Sequence, residues 1–206
     1  MKIDSMFPTC IASVEYTKHT NIKPILTNNL PTGRINPRSE SLFHYYEDNS
    51  ILHKKELQDF FVWCENNATD FVKNTLQKDI EKMIITDCWL NVCDYDGIQN
   101  FHNHTNSYIS GTYYVNKTDN HADLSFQSPY SQSANVNTID LNNLNTNEYN
   151  ATHFTTPVKE GSLYLWPAFL KHGYEENMQD NRISLSMNFM PNIVKNDTYG
   201  YKIERL

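Results

Sequence analysis

The sequence lacks the long apolar run that a membrane span requires, and Met1-Lys2-Ile3-Asp4 opens it without the apolar core of an export signal. It also lacks any block of like charges: 17 Lys and Arg stand against 24 Asp and Glu, for a net charge of −7. That balance argues against nucleic-acid binding through a broad basic surface. Cysteine is sparse, and Cys10, Cys64, Cys88 and Cys93 form neither a Cys-x-x-Cys pair nor zinc-ribbon spacing. They read as reduced core thiols of a cytosolic protein. Six glycines in 206 residues is few, while Asn and Tyr are abundant, a bias that an AT-rich genome produces as easily as function does. No repeat is present. The length suits one domain with a sizeable core.

Three regions differ in texture. Residues 1–50 look irregular, punctuated by Pro8, Pro24, Pro31 and Pro37. From 54 to 82, Leu57, Phe60, Phe61, Cys64, Ala68, Phe71, Val72 and Leu76 recur at three- and four-residue steps, which predicts bracing helix, divided at Asn66-Asn67. After Trp89 the chain turns to short β runs at 84–93, 108–115, 122–127, 162–166 and 182–189, the texture of a sandwich or barrel. The polar stretch 129–150 reads as a long surface loop that borders a cavity and contributes to substrate choice. Along 182–189, Ile183, Leu185, Met187 and Phe189 alternate with Arg182, Ser184, Ser186 and Asn188. The polar set faces either solvent or, in a barrel with a ligand cavity, inward with the apolar set under a helix. The pattern leaves both open.

His102 and His104, two residues apart on extended backbone, point the same way. His172 on a distant strand could close one face of a metal coordination sphere, and Arg182 could anchor an anion. Imidazole suits iron, copper, zinc and nickel alike, so the ligands alone do not choose the metal. His121 and His153, in polar surroundings without a paired partner, read as exposed.

Read together, the residues become more specific. His102-Asn103-His104-Thr105-Asn106-Ser107-Tyr108-Ile109-Ser110-Gly111-Thr112-Tyr113-Tyr114 resembles the His-x-His-Pro-x-Ser-x-x-Ser-Gly-x-Tyr-Tyr pattern of a bacterial and phage branch of the 2-oxoglutarate/Fe(II) oxygenases, with Thr105 in place of Pro. Glu160-Gly161-Ser162-Leu163-Tyr164-Leu165-Trp166-Pro167, then His172, then Arg182-Ile183-Ser184 continue the likeness over 84–191. The resemblance implies a mainly β fold, a double-stranded β-helix (jelly-roll, cupin-like) braced by helices. Residues 1–83 would be an N-terminal extension with the braces, 84–191 the core and 192–206 a tail. It implies Fe(II) held by His102, His104 and His172, with His104 where most relatives carry Asp or Glu. It also implies 2-oxoglutarate gripped by Arg182, Ser184 and Tyr114, and O2 consumed as succinate and CO2 form. If His104 were not a ligand, Asp119 or Asp123 could supply a carboxylate. The implied activity is hydroxylation of a primary substrate the sequence does not identify, and it leaves the oligomeric state open. Two other readings stand beside it: a cupin-like three-His metalloenzyme without 2-oxoglutarate, and a non-enzymatic β-sandwich or virion-associated binding module.

Overall fold

The computed structural model describes residues 1–4, 7–28, 30, 34–36, 39–45, 49–130, 142 and 144–204. Two facing sheets carry the fold. The larger joins β1 (Ala12–Glu15), β9 (Ser162–Pro167), β6 (Ile109–Asn116), β11 (Arg182–Pro191), β4 (Met83–Cys93), β3 (Ser39–Tyr45) and β2 (Arg34–Asn36), in that spatial order. The smaller joins β5 (Gln99–His102), β10 (His172–Tyr174), β7 (Leu124–Gln127) and β8 (His153–Thr156). All their pairings are antiparallel. This is the expected double-stranded β-helix.

The outer face of the large sheet is the apolar one. Ile183, Leu185, Met187 and Phe189 of β11 join Cys88, Leu90 and Val92 of β4 and Ile109, Tyr113 and Val115 of β6 in one buried cluster. Covering it is α2 (Gln58–Asp70), whose Phe60, Phe61, Cys64 and Ala68 are buried at helical spacing. Asn66 and Asn67 do not divide this helix. The Asn67 amide donates to Trp63 O instead, and the helix ends in a π-turn at Phe71–Thr75, before Gln77 at φ 53°. Because the helix claims the apolar face, the polar residues of β11 turn inward, which resolves the alternation that the sequence left open.

The N-terminal fifty residues are more regular than their prolines suggest. They hold β1, β2, β3 and the helix α1 (His19–Thr27), with Pro24 inside it. Tertiary ties outweigh the local signal here: Lys23 Nζ donates to Glu160 Oε1 (2.8 Å), and His19 Nδ1 pairs with the Tyr113 hydroxyl (2.7 Å). The expected tail contains a two-stranded ladder of β12 (Ile193–Lys195) and β13 (Gly200–Lys202). Of the 129–150 loop, residues 131–141 and 143 lie outside the described residues. Tyr130, Glu148 and Tyr149 line a surface hollow with Phe126 and Phe154, away from the three histidines. The cysteines are free thiols, three of them buried.

Phe60 is fully buried, with its ring centroid 4.7 Å from that of Tyr113 and 5.2 Å from that of Tyr16. Phe60→Ala should therefore cost about 3–5 kcal/mol. Urea unfolding checks this: the midpoint should fall while the denaturant slope stays unchanged.

Candidate functional site

The inward face of the large sheet is a ladder of polar rows. Arg182 sits opposite Cys93; Ser184 lies between Tyr114 and Asn91; Ser186 between Thr112 and Trp89; Asn188 between Ser110 and Asp87. The small sheet closes over these rows with His102 and His172, which are direct cross-strand partners of the β5–β10 ladder. That ladder is tight because position 173 is glycine: a Cβ there would come within 2.4 Å of Gln99 O. His104 follows just past the end of β5 and leans onto the large sheet at the Asn188 row.

The three rings converge. Their centroids lie 4.4 Å (His102–His172), 5.0 Å (His104–His172) and 5.2 Å (His102–His104) apart. One nitrogen from each falls within 4.8 Å of the others, and no Asp, Glu or Cys joins the group among the described residues. Every Nδ1 is already engaged. His102 Nδ1–H donates to Asn100 O (2.8 Å), His172 Nδ1–H to Leu170 O (3.2 Å) and His104 Nδ1–H to Asn188 Oδ1 (2.5 Å). A ring nitrogen facing a carbonyl must carry the proton, which fixes the tautomer and leaves each Nε2 with a lone pair. Two of those atoms, on His102 and His104, are 3.3 Å apart. Lone pairs repel at that distance unless an ion lies between them, and about 3 Å is the spacing of neighbouring donors at metal–nitrogen bonds of about 2.1 Å.

Burial lowers all three histidine pKa values, His172 furthest, with the neighbouring His102 and His104 adding to the effect there. The rings are thus neutral, as ligands must be. The donor set fits one divalent first-row ion bound on a single face. The carboxylates considered as substitutes lie elsewhere: Asp119 is exposed, and Asp123 is tied to Lys117 Nζ (3.1 Å) and the Val158 amide (3.1 Å).

At the far end of the same cavity lies Arg182, only 2% exposed. Its Nε donates to Ala122 O (2.9 Å), its Nη2 approaches the Tyr114 hydroxyl (3.4 Å), and its guanidinium carbon lies 4.1 Å from the Tyr174 ring centroid. Among the described residues no carboxylate pairs with it. A buried guanidinium without a counter-ion is costly, and an anionic ligand in the cavity would supply one. Ser184, two residues on, and Tyr114 line the same cavity. Burial pushes the Tyr114 hydroxyl up to about 12, against the opposing pull of Arg182, so it stays a neutral donor.

The structure thus brings together all six residues singled out in the sequence. His153 is exposed as expected, but His121 is buried, holding the Thr118 amide at Nδ1 (3.1 Å) and Asp180 O at Nε2 (2.8 Å). It pins the turn whose next residue, Ala122, receives Arg182. Sequence reasoning missed His44, Asn91, Thr112 and Ser186, which line the cavity through a chain of hydrogen bonds: His44 Nδ1 to Asn91 Oδ1 (2.5 Å), then Asn91 Nδ2 to Ser186 Oγ (2.9 Å). His44 lies in the segment that read as irregular. Ser186 was visible only as the phase-mate of Arg182 and Ser184.

A jelly-roll with a three-imidazole face and a buried arginine in one cavity has the parts of a metal-binding site that also takes an anion. Residues 87–188 match the family described as "Putative 2OG-Fe(II) oxygenase", a match that spans every one of the six site residues. Residues 87–188 thus carry the pattern of the 2-oxoglutarate/Fe(II) oxygenase family, whose members take Fe(II), 2-oxoglutarate and O2.

Solved structures share the fold. An α-ketoglutarate-dependent epimerase of nogalamycin biosynthesis, SnoN, superposes with a TM-score of 0.61 at 8% identity, over 89% of this chain and 77% of its own. A Pseudomonas putida prolyl-4-hydroxylase gives 0.58 at 9% identity, over 89% and 93%. HygX from Streptomyces hygroscopicus, solved with nickel and 2-oxoglutarate, gives 0.58 at 10% identity, over 89% and 83%. No curated protein sequence matches the chain. No helix among the described residues is long and apolar enough to cross a membrane.

Proposed function

We propose that the protein is a 2-oxoglutarate-dependent Fe(II) hydroxylase. In this reading His102, His104 and His172 hold the iron, and Arg182, with Ser184 and the Tyr114 hydroxyl, grips the distal carboxylate of 2-oxoglutarate. The observation that carries it is the pairing, in one cavity, of three Nε2 lone pairs with a buried guanidinium that meets no carboxylate among the described residues. A cupin-like enzyme without 2-oxoglutarate has no use for that guanidinium, and a binding module has no use for the three aligned lone pairs.

When bound, iron and 2-oxoglutarate supply the oxidising chemistry, in which O2 is consumed as 2-oxoglutarate loses CO2 to give succinate. The protein's part is to orient and to exclude water. Asn100, Leu170 and Asn188 hold the imidazoles in their ligating tautomer. Arg182 offers a planar fork to a carboxylate, and Tyr114 and Ser184 offer neutral donors beside it. The walls between the two ends are closed by Leu124, Tyr174 and Trp89.

Hydroxylation is tested with 18O2. One labelled oxygen should enter succinate and one the primary product; label in succinate alone, with an isomerised or desaturated product, would replace hydroxylation by another oxidation. Asn188→Ala probes the outer support of His104 and should weaken Fe(II) binding by about 10–100-fold. Anaerobic Fe(II) titration checks it, and unchanged affinity would mean that His104 needs no orienting partner.

A further inference from the structure

Arg182 is held on two sides by the protein itself. Its Nε donates to Ala122 O (2.9 Å), so that edge is taken and a carboxylate meets the fork of the two terminal nitrogens. One flat face of the guanidinium lies against Tyr174, with its carbon 4.1 Å from the ring centroid. The Tyr114 ring stands further off, at 5.1 Å.

The Tyr174 ring is fixed at both ends. At its base it follows His172 by two residues on β10, and both side chains line the cavity. At its tip the hydroxyl bonds the Cys93 thiol, and Cys93 is the cross-strand partner of Arg182. That thiol donates in turn to Asp94 O (3.6 Å), and Gly97 makes room for it, since a Cβ there would clash with the sulfur. Behind the thiol, Asn177 is fully buried. Its Oδ1 accepts from the Ala122 amide (2.9 Å), and its NH2 donates to Cys93 O (3.1 Å) and Asp94 O (2.9 Å). One amide side chain thus holds both the acceptor of Arg182 Nε and the strand end that carries Cys93.

We propose that Tyr174 is the positioning residue of the carboxylate anchor: its ring sets the plane of the Arg182 guanidinium and so favours a 2-oxo acid with a second, distal carboxylate over one without. The proposal rests on the reading of Arg182 as the anchor for 2-oxoglutarate, and it adds the residue that orients that anchor. A two-pronged bond needs the guanidinium and the carboxylate in one plane, and a guanidinium free to turn loses a prong. Stacking faces the buried cation with the negative side of a π system and leaves its N–H groups for the ligand.

The test uses the protein loaded anaerobically with Fe(II) and titrated with 2-oxoglutarate and with 2-oxovalerate. The second acid keeps the 2-oxo acid group that meets the iron but ends in a methyl group. Each titration is followed by the metal-to-ligand charge-transfer band, and the ratio of the two affinities reports the anchor alone. In Tyr174→Leu that ratio should fall by about 3–30-fold, with Fe(II) and 2-oxovalerate binding unchanged. Tyr174→Phe keeps the ring and should keep the ratio. In an Arg182→Lys background Tyr174→Leu should add little, because the planar group that it orients is gone.

An unchanged ratio in Tyr174→Leu, a parallel loss with both acids, or an equal fall in Tyr174→Phe overturns the proposal. If Tyr174→Leu does not fold, Tyr174→Met takes its place with the same expected fall. Failure of both to fold while Tyr174→Phe stays intact would make the ring a support of the fold, and overturns it too. Two results in the unsubstituted protein strike deeper. No band with either acid sinks the iron reading, and equal affinity for the two acids sinks Arg182 as the anchor; either takes the role of Tyr174 with it.

Discussion

Replacing His172 by Ala should yield a folded protein that no longer retains iron and no longer converts 2-oxoglutarate to succinate. His172 is the most enclosed of the three imidazoles, 6% exposed, packed at 4.7 Å against the Trp166 ring and held by Leu170 O. Its removal takes away one of three donors and leaves His102 and His104 unable to close a face. The loss should exceed the roughly 10–100-fold cost of deleting an outer partner such as Asn188. Metal analysis after anaerobic reconstitution measures it, with circular dichroism as the check on folding. His102→Ala should behave alike, because the two residues are cross-strand partners. Full iron occupancy in either variant would remove the assignment. His104→Asp, which restores the more common carboxylate, should keep iron.

The second large effect belongs to Arg182→Lys. Lysine keeps the charge but gives up the two-pronged geometry, and its shorter head loses the contacts to Ala122 O and the Tyr114 hydroxyl. Affinity for 2-oxoglutarate should fall by about 10–100-fold, the equivalent of about 1.4–2.8 kcal/mol, while Fe(II) binding persists. Titration of the iron-loaded protein with 2-oxoglutarate separates the two. An unchanged 2-oxoglutarate dependence would place the anchor elsewhere, and a parallel loss of iron would mean that Arg182 supports the fold rather than the ligand.

What the sequence made legible was the part governed by local pattern. The strands β4, β6, β7, β9 and β11 were visible within two residues at each end because their β-branched and aromatic runs are bounded by turn residues. The histidines and Arg182 were visible because their spacing matched a family motif. The short strands β5, β8 and β10 were not among those runs; they exist through pairing with distant neighbours rather than through an apolar run of their own. His44 escaped because its strand, β3, lies in a proline-punctuated segment read as irregular.

His121 was misread because a polar sequence neighbourhood says nothing of the carbonyls that a turn folds around an imidazole. The direction of the β11 alternation could not be settled from β11 alone. It depends on which face α2 covers, a fact of packing between segments more than a hundred residues apart.

In the proposed enzyme Fe(II) and 2-oxoglutarate meet in one cavity, between the histidines and Arg182. The most direct measurement is an anaerobic titration of the apoprotein with Fe(II) and then 2-oxoglutarate, followed by visible absorption. A charge-transfer band that appears only when both are present, saturates at one equivalent of each and fails to form in His172→Ala is the predicted result. Iron binding with no such band at any 2-oxoglutarate concentration, or a band that survives in His172→Ala, would contradict it.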